Sequence, residues 1–252
     1  MTLSLTKSNQ AGLLLCSRYA LPPNWLKYCG GDNPKEILAY SAEKVADLGL
    51  VELLKEFNTM HPYLKLIAEA NKISDPFAAS VVEAYWLGNK LLTKVSQNSL
   101  YNFLRDDLQL NKKIKNNLWN EITDKINLRP WPHHSWHVFN VFIRTGHFTL
   151  EHTLETMDNC KISWGQVVAD NGDSFSVSTQ PLALIDGELD FGLTTIKKIF
   201  KAQPEKNLSL EVKVGDYVSF HWNWFCDKLT LKQLQYLKKI TADNLAIANL
   251  TI

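Results

Sequence analysis

No apolar run in this sequence approaches the roughly 18–20 residues that a membrane helix requires, so no membrane partner is expected. No long basic run appears either. The densest cluster, "NKKIKNN" at 111–117, reads as the solvated face of a helix. With a net charge of +1, the chain offers a nucleic acid no electrostatic footprint. G-x-S-x-G, a P-loop and a dinucleotide fingerprint are all missing, which leaves serine hydrolase, NTPase and Rossmann readings without support. No internal repeat is visible.

Cysteine is scarce and scattered. The four residues, Cys16, Cys29, Cys160 and Cys226, form no C-x-x-C pair. "AGLLLC" ending at Cys16 is a poor lipoprotein signal, because its apolar core is short, its basic region is a lone Lys7, and bulky Leu15 precedes the cysteine. The expectation is reduced thiols in a cytoplasmic protein.

What is present suits a soluble globular chain. Hydrophobic residues make up 45% and charged residues 21% of 252 positions, enough to bury a core in one large domain or two modest ones. Residues 11–126 carry apolar positions at three- and four-residue steps, as in "PKEILAYSAEKVADLGLVELLKEF" and "DPFAASVVEAYWLGNKLLTKV". Asn33–Pro34 and Asp75–Pro76 read as helix starts. This predicts a helical bundle over 1–130. "NLRPWPHHSW" breaks the pattern at Pro130 and Pro132, and 131–157 reads as a His-rich connecting segment.

From 158 the pattern becomes that of short strands. "CKISWGQVVAD" meets the turn "NGD", "IDGELDFG" holds an Asp-Gly turn, and "EVKVGDYVSFHWNW" reads as the last strand. Thr230 with Gln233 forms a capping box that opens a closing amphipathic helix. The predicted fold class is therefore α+β: an N-terminal α-helical bundle, then a small antiparallel β-barrel or curled sheet over 158–252 with a C-terminal helix.

Two stretches carry candidate chemistry. In "DYVSFHWNW", alternation puts Val218, Phe220 and Trp222 on a core face and Tyr217, Ser219 and His221 on the other. That projects His221 away from the main packing, where a ligand or acid–base role is open; a surface histidine bonded to a neighbour is the plainer reading. Cys226, at an expected strand-to-helix junction, reads as a small buried hydrophobe. In "PHHSWHVF", His133, His134 and His137 are spaced to hold zinc or iron, although the glutamate of H-E-x-x-H is missing. A Pro-started junction whose histidines bond backbone groups is the plainer alternative. His147, His152, Cys29 and Glu83 keep a metal pocket between the two units in play. For Glu83, a structural ion pair with Arg18 is expected.

"VKVGDYVSFHWNWFCDKLT" followed by a helix resembles the last strand of the HypC/HupF family of [NiFe]-hydrogenase maturation chaperones. "CKISWGQV" is similar to that family's first strand, with Cys160, Gly165 and Val167 at matching positions. Trp164 stands where the family has proline, Cys160 is internal rather than next to the N-terminus, and 180–200 is longer than the family's barrel. The resemblance implies a HypC- or OB-like barrel. It also implies that Cys160 and His221 handle iron carrying cyanide and carbon monoxide ligands, between a maturation scaffold protein and a hydrogenase large-subunit precursor. On that reading the chain is a binding protein or chaperone rather than an enzyme. The alternative is a metalloenzyme with a site at His133, His134 and His137 and zinc as the other candidate metal. A third reading is a plain interaction module. "YALPPNWLKYCGG", "DPFAASVVEAYWLGN" and "PHHSWHVF" make the whole chain similar to an uncharacterised bacterial family, a likeness that implies no mechanism.

Overall fold

The computed structural model describes residues 6–141, 153–202 and 211–251. His147 and His152 lie outside the described residues. The helical part comprises α1 (Lys7–Trp25), α2 (Pro34–Glu43), α3 (Leu48–Lys55), α4 (Met60–Ala70), α5 (Ala79–Trp86), α6 (Gln97–Asn102), α7 (Leu110–Lys113) and α8 (Asn116–Ile126). Short α9 (His134–Trp136) continues as a π-turn over His137–Val141, and α10 (Leu154–Cys160) leads into the strands. These are β1 (Ser163–Asp170), β2 (Ser174–Thr179), β3 (Leu182–Ile185), β4 (Glu188–Phe191), β5 (Thr195–Phe200), β6 (Tyr217–His221) and β7 (Trp224–Lys228). The closing helix is α11 (Leu231–Ala248). Among the described residues no helix is long and apolar enough to cross a membrane.

Helix α1 is the axis of the helical part. Thr6 caps it by accepting from the Asn9 amide. Leu13, Cys16, Tyr19 and Ala20 are wholly buried against the surrounding helices. Gly12 permits the closest approach: a Cβ there would lie 1.9 Å from the Phe77 carbonyl oxygen. Pro34 starts α2 as expected, whereas Asp75 does not cap a helix. Its carboxylate accepts from the Phe77 amide in a turn, and α5 begins at Ala79.

The strand part is α+β as predicted, but its sheet is more irregular than a regular antiparallel barrel. Five strands are ordered β1-β2-β5-β7-β6, with β6 back beside β1, and β3-β4 form a separate hairpin. Every pairing is antiparallel except the seam between β5 and β7, which is parallel and rests on one residue pair, Phe200 with Trp224. The result is a curled five-stranded sheet with a minimal seam. Its inner face is filled by Val167, Phe175, Val177, Ile199, Val218 and Phe220.

The expected single last strand is in fact a hairpin. Trp222 and Asn223 both take positive φ, 52° and 61°, so β6 turns back as β7 through a two-residue loop. Trp222 sits in that turn and not on the core face, and Cys226 lies buried on β7. The capping box of Thr230 and Gln233 on α11 is present. The largest core cluster runs from Leu13 through Tyr85 to Cys226, Leu237 and Ile240. Helices and strands therefore share one continuous interior.

Candidate metal centre

Three chain segments deliver the site. Pro130 and Pro132 end the helical pattern, and His133 takes an extended backbone as the N-cap of α9. Its Nδ1 accepts from the Ser135 amide at 3.0 Å. Asn244 of α11 grips the same segment, accepting from the Trp131 amide and donating to the Trp131 carbonyl and Ser135 Oγ. With His133 spent on the cap, His134 and His137 are the ones that line the interior cavity. This corrects the expected trio. Among the described residues, the ligating atoms that come together are those of His134, Cys160 and His221, and His133 and His137 are not part of that group. As the plainer junction reading had it, the His133 ring bonds a backbone amide and the His134 ring a backbone carbonyl.

Cys160 is the last residue of α10 and not the start of a strand, as the sequence suggested. Thr153 Oγ1 caps that helix by accepting from the Thr156 amide. At its other end the Trp222 amide donates to the Asn159 carbonyl at 2.9 Å. That bond ties the end of α10 to the β6–β7 turn, which brings Cys160 beside His221.

His221 ends β6 and is 1% exposed. Alternation does turn it away from the sheet interior, but the other face of β6 is covered by α1. Tyr19 Oη meets Ser219 Oγ at 2.6 Å, and His221 Nδ1 donates to the Tyr19 carbonyl at 2.8 Å. It is therefore no surface histidine. A carbonyl only accepts, so Nδ1 carries the proton and Nε2 carries the lone pair. Among the described residues, that Nε2 has no hydrogen-bond partner. Burial pulls the imidazole down to about 4, opposed by the carbonyls of Tyr19 and Cys160.

His134 is neutral for the same reason. Burial drives its pKa well below the ordinary value, and the neighbouring His221 adds to the fall. Its Nε2–H donates to the Cys160 carbonyl at 2.8 Å, and the Tyr85 hydroxyl lies 3.1 Å from Nδ1. The two imidazole rings meet nearly edge to face, with centroids 5.3 Å apart, and Trp86 backs both.

The ligating atoms of His134, Cys160 and His221 all lie within 4.8 Å of one another. Tetrahedral N and S ligands on one ion are separated by about 3.3–3.6 Å, so small side-chain rotations close the group. It borders a cavity of about 110 Å³. Its walls include Phe57, Met60, Tyr85 and Trp86, with Cys29, Glu56 and His137 as further polar lining. Gly30, at φ +86°, lets the 28–31 loop lie against Phe57, where a Cβ would come within 2.5 Å. Tyr28 of that loop stacks on Trp222 at 4.1 Å.

Other sequence candidates fall elsewhere. Glu83 takes Gln233 Nε2 at 2.8 Å and Asn89 Nδ2 at 3.0 Å, not Arg18. Arg18 instead pairs with Asp227 at 3.0 Å and donates to the Cys226 carbonyl. Tyr19 and Tyr85 were missed as orienting residues. The available signal for Tyr85 is its place in the apolar helix "VVEAYWLGNK", two positions after Glu83.

A family model matches residues 8–252 and is described as a family of unknown function, DUF6390. The chain belongs to the DUF6390 family. Helical and strand parts of the DUF6390 chain thus fall within one family unit. No curated protein and no solved structure matches it. The match supports the expected uncharacterised family and gives no support to the HypC/HupF resemblance.

Proposed function

We propose that the DUF6390 chain is a metal-handling protein that holds one thiophilic transition-metal ion on His134, Cys160 and His221. The observation that carries this reading is a wholly buried imidazole lone pair, His221 Nε2, without a partner beside a thiol and a second neutral imidazole. Two imidazoles and a thiolate suit zinc, iron or copper. Three protein ligands leave one position open toward the cavity, the pattern of sites that exchange or activate a ligand. The Tyr19 carbonyl fixes the His221 tautomer, as outer partners of metal-bound histidines do. On His134 an ion displaces one of the two existing hydrogen bonds. The Cys160 thiol gives up its proton on loading, so binding weakens in acid.

The more specific form of this reading is iron in transit through Cys160 and His221 during hydrogenase maturation. It is supported by the order of motifs from Cys160 through Gly215-Asp216-Tyr217-Val218 to His221, on a curled five-stranded sheet with a closing helix. A resident-metal enzyme is the second reading, favoured by the cavity of about 110 Å³ beside the open position.

Untagged metal-free protein loaded anaerobically with Fe(II) or with Zn(II), desalted and analysed for metal, tests the reading. The expected result is one ion per chain, lost in Cys160→Ala and His221→Ala and kept in His61→Ala. No metal retained by the wild type, or equal loading of all variants, overturns it. A deletion strain that loses [NiFe]-hydrogenase activity supports the transit role; one that keeps it leaves the resident-metal reading.

A further inference from the structure

A dication on two neutral imidazoles and one thiolate keeps a net charge of +1. Such a charge is costly in a cavity walled by Phe57, Met60, Tyr85 and Trp86. Of the other side chains that line the same cavity, Cys29 and Glu56 carry the most acidic groups. Glu56 is exposed, and its carboxylate lies over Gly31, where an added Cβ would sit 1.5 Å from Oε2. Its charge is already served by solvent.

Cys29 is different. It is half-buried, and its backbone is pinned at the cavity mouth: Asn24 Nδ2 donates to the carbonyls of Cys29 at 2.9 Å and Gly31 at 2.6 Å. His221, whose Nε2 is buried and unpartnered among the described residues, lines the same space. The remaining two thiols are no rivals. Cys16 and Cys226 are 0% exposed, and neither lines this cavity.

We propose that Cys29 is the displaceable fourth ligand of this centre, making it a neutral two-histidine, two-thiolate site. The inference rests on the metal-binding reading above. Loading forms two metal–sulfur bonds and releases one proton from each thiol, with no change of oxidation state. Displacement of Cys29 then opens the site to an incoming ligand from the mouth between the 28–31 and 56–59 loops.

Titration of the metal-free full-length chain with Co(II) tests this through the near-ultraviolet thiolate-to-cobalt charge-transfer band. The expected result is about half the wild-type intensity per bound ion in Cys29→Ser and in Cys160→Ser, and full intensity in Glu56→Gln. Wild-type intensity in Cys29→Ser overturns the fourth-ligand assignment while leaving the three-residue centre standing. A missing band in the wild type, or one indifferent to Cys160→Ser, overturns the metal-binding reading itself. Should Cys29→Ser fail to fold, iodoacetamide labelling of the wild type decides. Zn(II) protection of both Cys29 and Cys160 supports the assignment, and protection of Cys160 alone overturns it.

Discussion

Two polar groups, buried Asp158 and half-buried Cys160, sit two residues apart near the end of α10 and are treated in opposite ways. Asp158 is saturated: Oδ1 takes the Leu182 amide at 2.7 Å and Lys161 Nζ at 2.8 Å, and Oδ2 takes Lys197 Nζ. Lys161 in turn donates to Ser163. Burial works against the carboxylate, yet Lys161, Lys197 and the amide outweigh it and hold Asp158 below the usual range. Around Cys160 the converse holds. Two imidazoles are kept neutral by burial, and among the described residues one nitrogen is left unmatched and no carboxylate joins the group. A buried cluster that completes its own charges and hydrogen bonds is a joint of the fold. One that stops short of completion is prepared for something from outside.

The largest expected effect breaks the saturated cluster. Asp158→Ala leaves Lys161, 1% exposed, as a buried cation hydrogen-bonded to the neutral Ser163 hydroxyl, at a cost of about 3–5 kcal/mol. Urea denaturation of the metal-free protein measures it. Replacing Asp158 and Lys161 together by Leu and Met should recover most of the loss, since removing both charges removes the desolvation problem. A cost under about 1 kcal/mol for Asp158→Ala would mean that the cluster does not hold the fold.

How far the sequence announced these features depends on the range of the chemistry. The Thr230–Gln233 box, the Asn171-Gly172 and Asp186-Gly187 turns and Pro34 at the start of α2 act within four residues and were legible. The Trp222–Asn223 turn was not. Tryptophan disfavours positive φ, and the turn is held by distant partners, the Tyr28 ring and the Asn159 carbonyl. Missing it merged β6 and β7 and put Cys226 at a junction it does not occupy. Cys160 and His221 were visible as candidates, and so was His134. Which of three neighbouring histidines joins Cys160 and His221 was hidden, because it depends on a cap at His133 that is fixed by Asn244, more than a hundred residues later.

A middle-sized effect sharpens the comparison through pH. His221 has a folded pKa of about 4 against roughly 6.5 unfolded, so the unfolded chain binds more protons between those values. Stability of the metal-free protein therefore falls as pH drops from about 6.5 to 4, by roughly 3 kcal/mol from this group. Burial pushes His133 down to about 3 and moves His134 in the same direction, so both add to the slope. His221→Asn, whose side-chain amide can still donate to the Tyr19 carbonyl, should flatten the curve in that window. Denaturation midpoints at pH 7, 5.5 and 4.5 read it directly. Asp158 responds with the same sign but further down, its contribution being lost only as pH falls through its depressed pKa.

The smallest effect on the bare fold is expected at the residue most central to the proposed chemistry. His134 is held by the backbone carbonyl of Cys160, and that carbonyl survives any substitution. Cys160→Ala should therefore cost the metal-free protein about 1 kcal/mol or less. With Zn(II) at a hundredfold excess over its Kd, the wild type should gain about 2.7 kcal/mol and the variant nothing. Thermal denaturation of both proteins, with Zn(II) and with chelator, gives the four values. A Cys160→Ala variant as crippled without metal as Asp158→Ala would place this thiol among the joints of the fold, and the contrast between the two clusters would collapse.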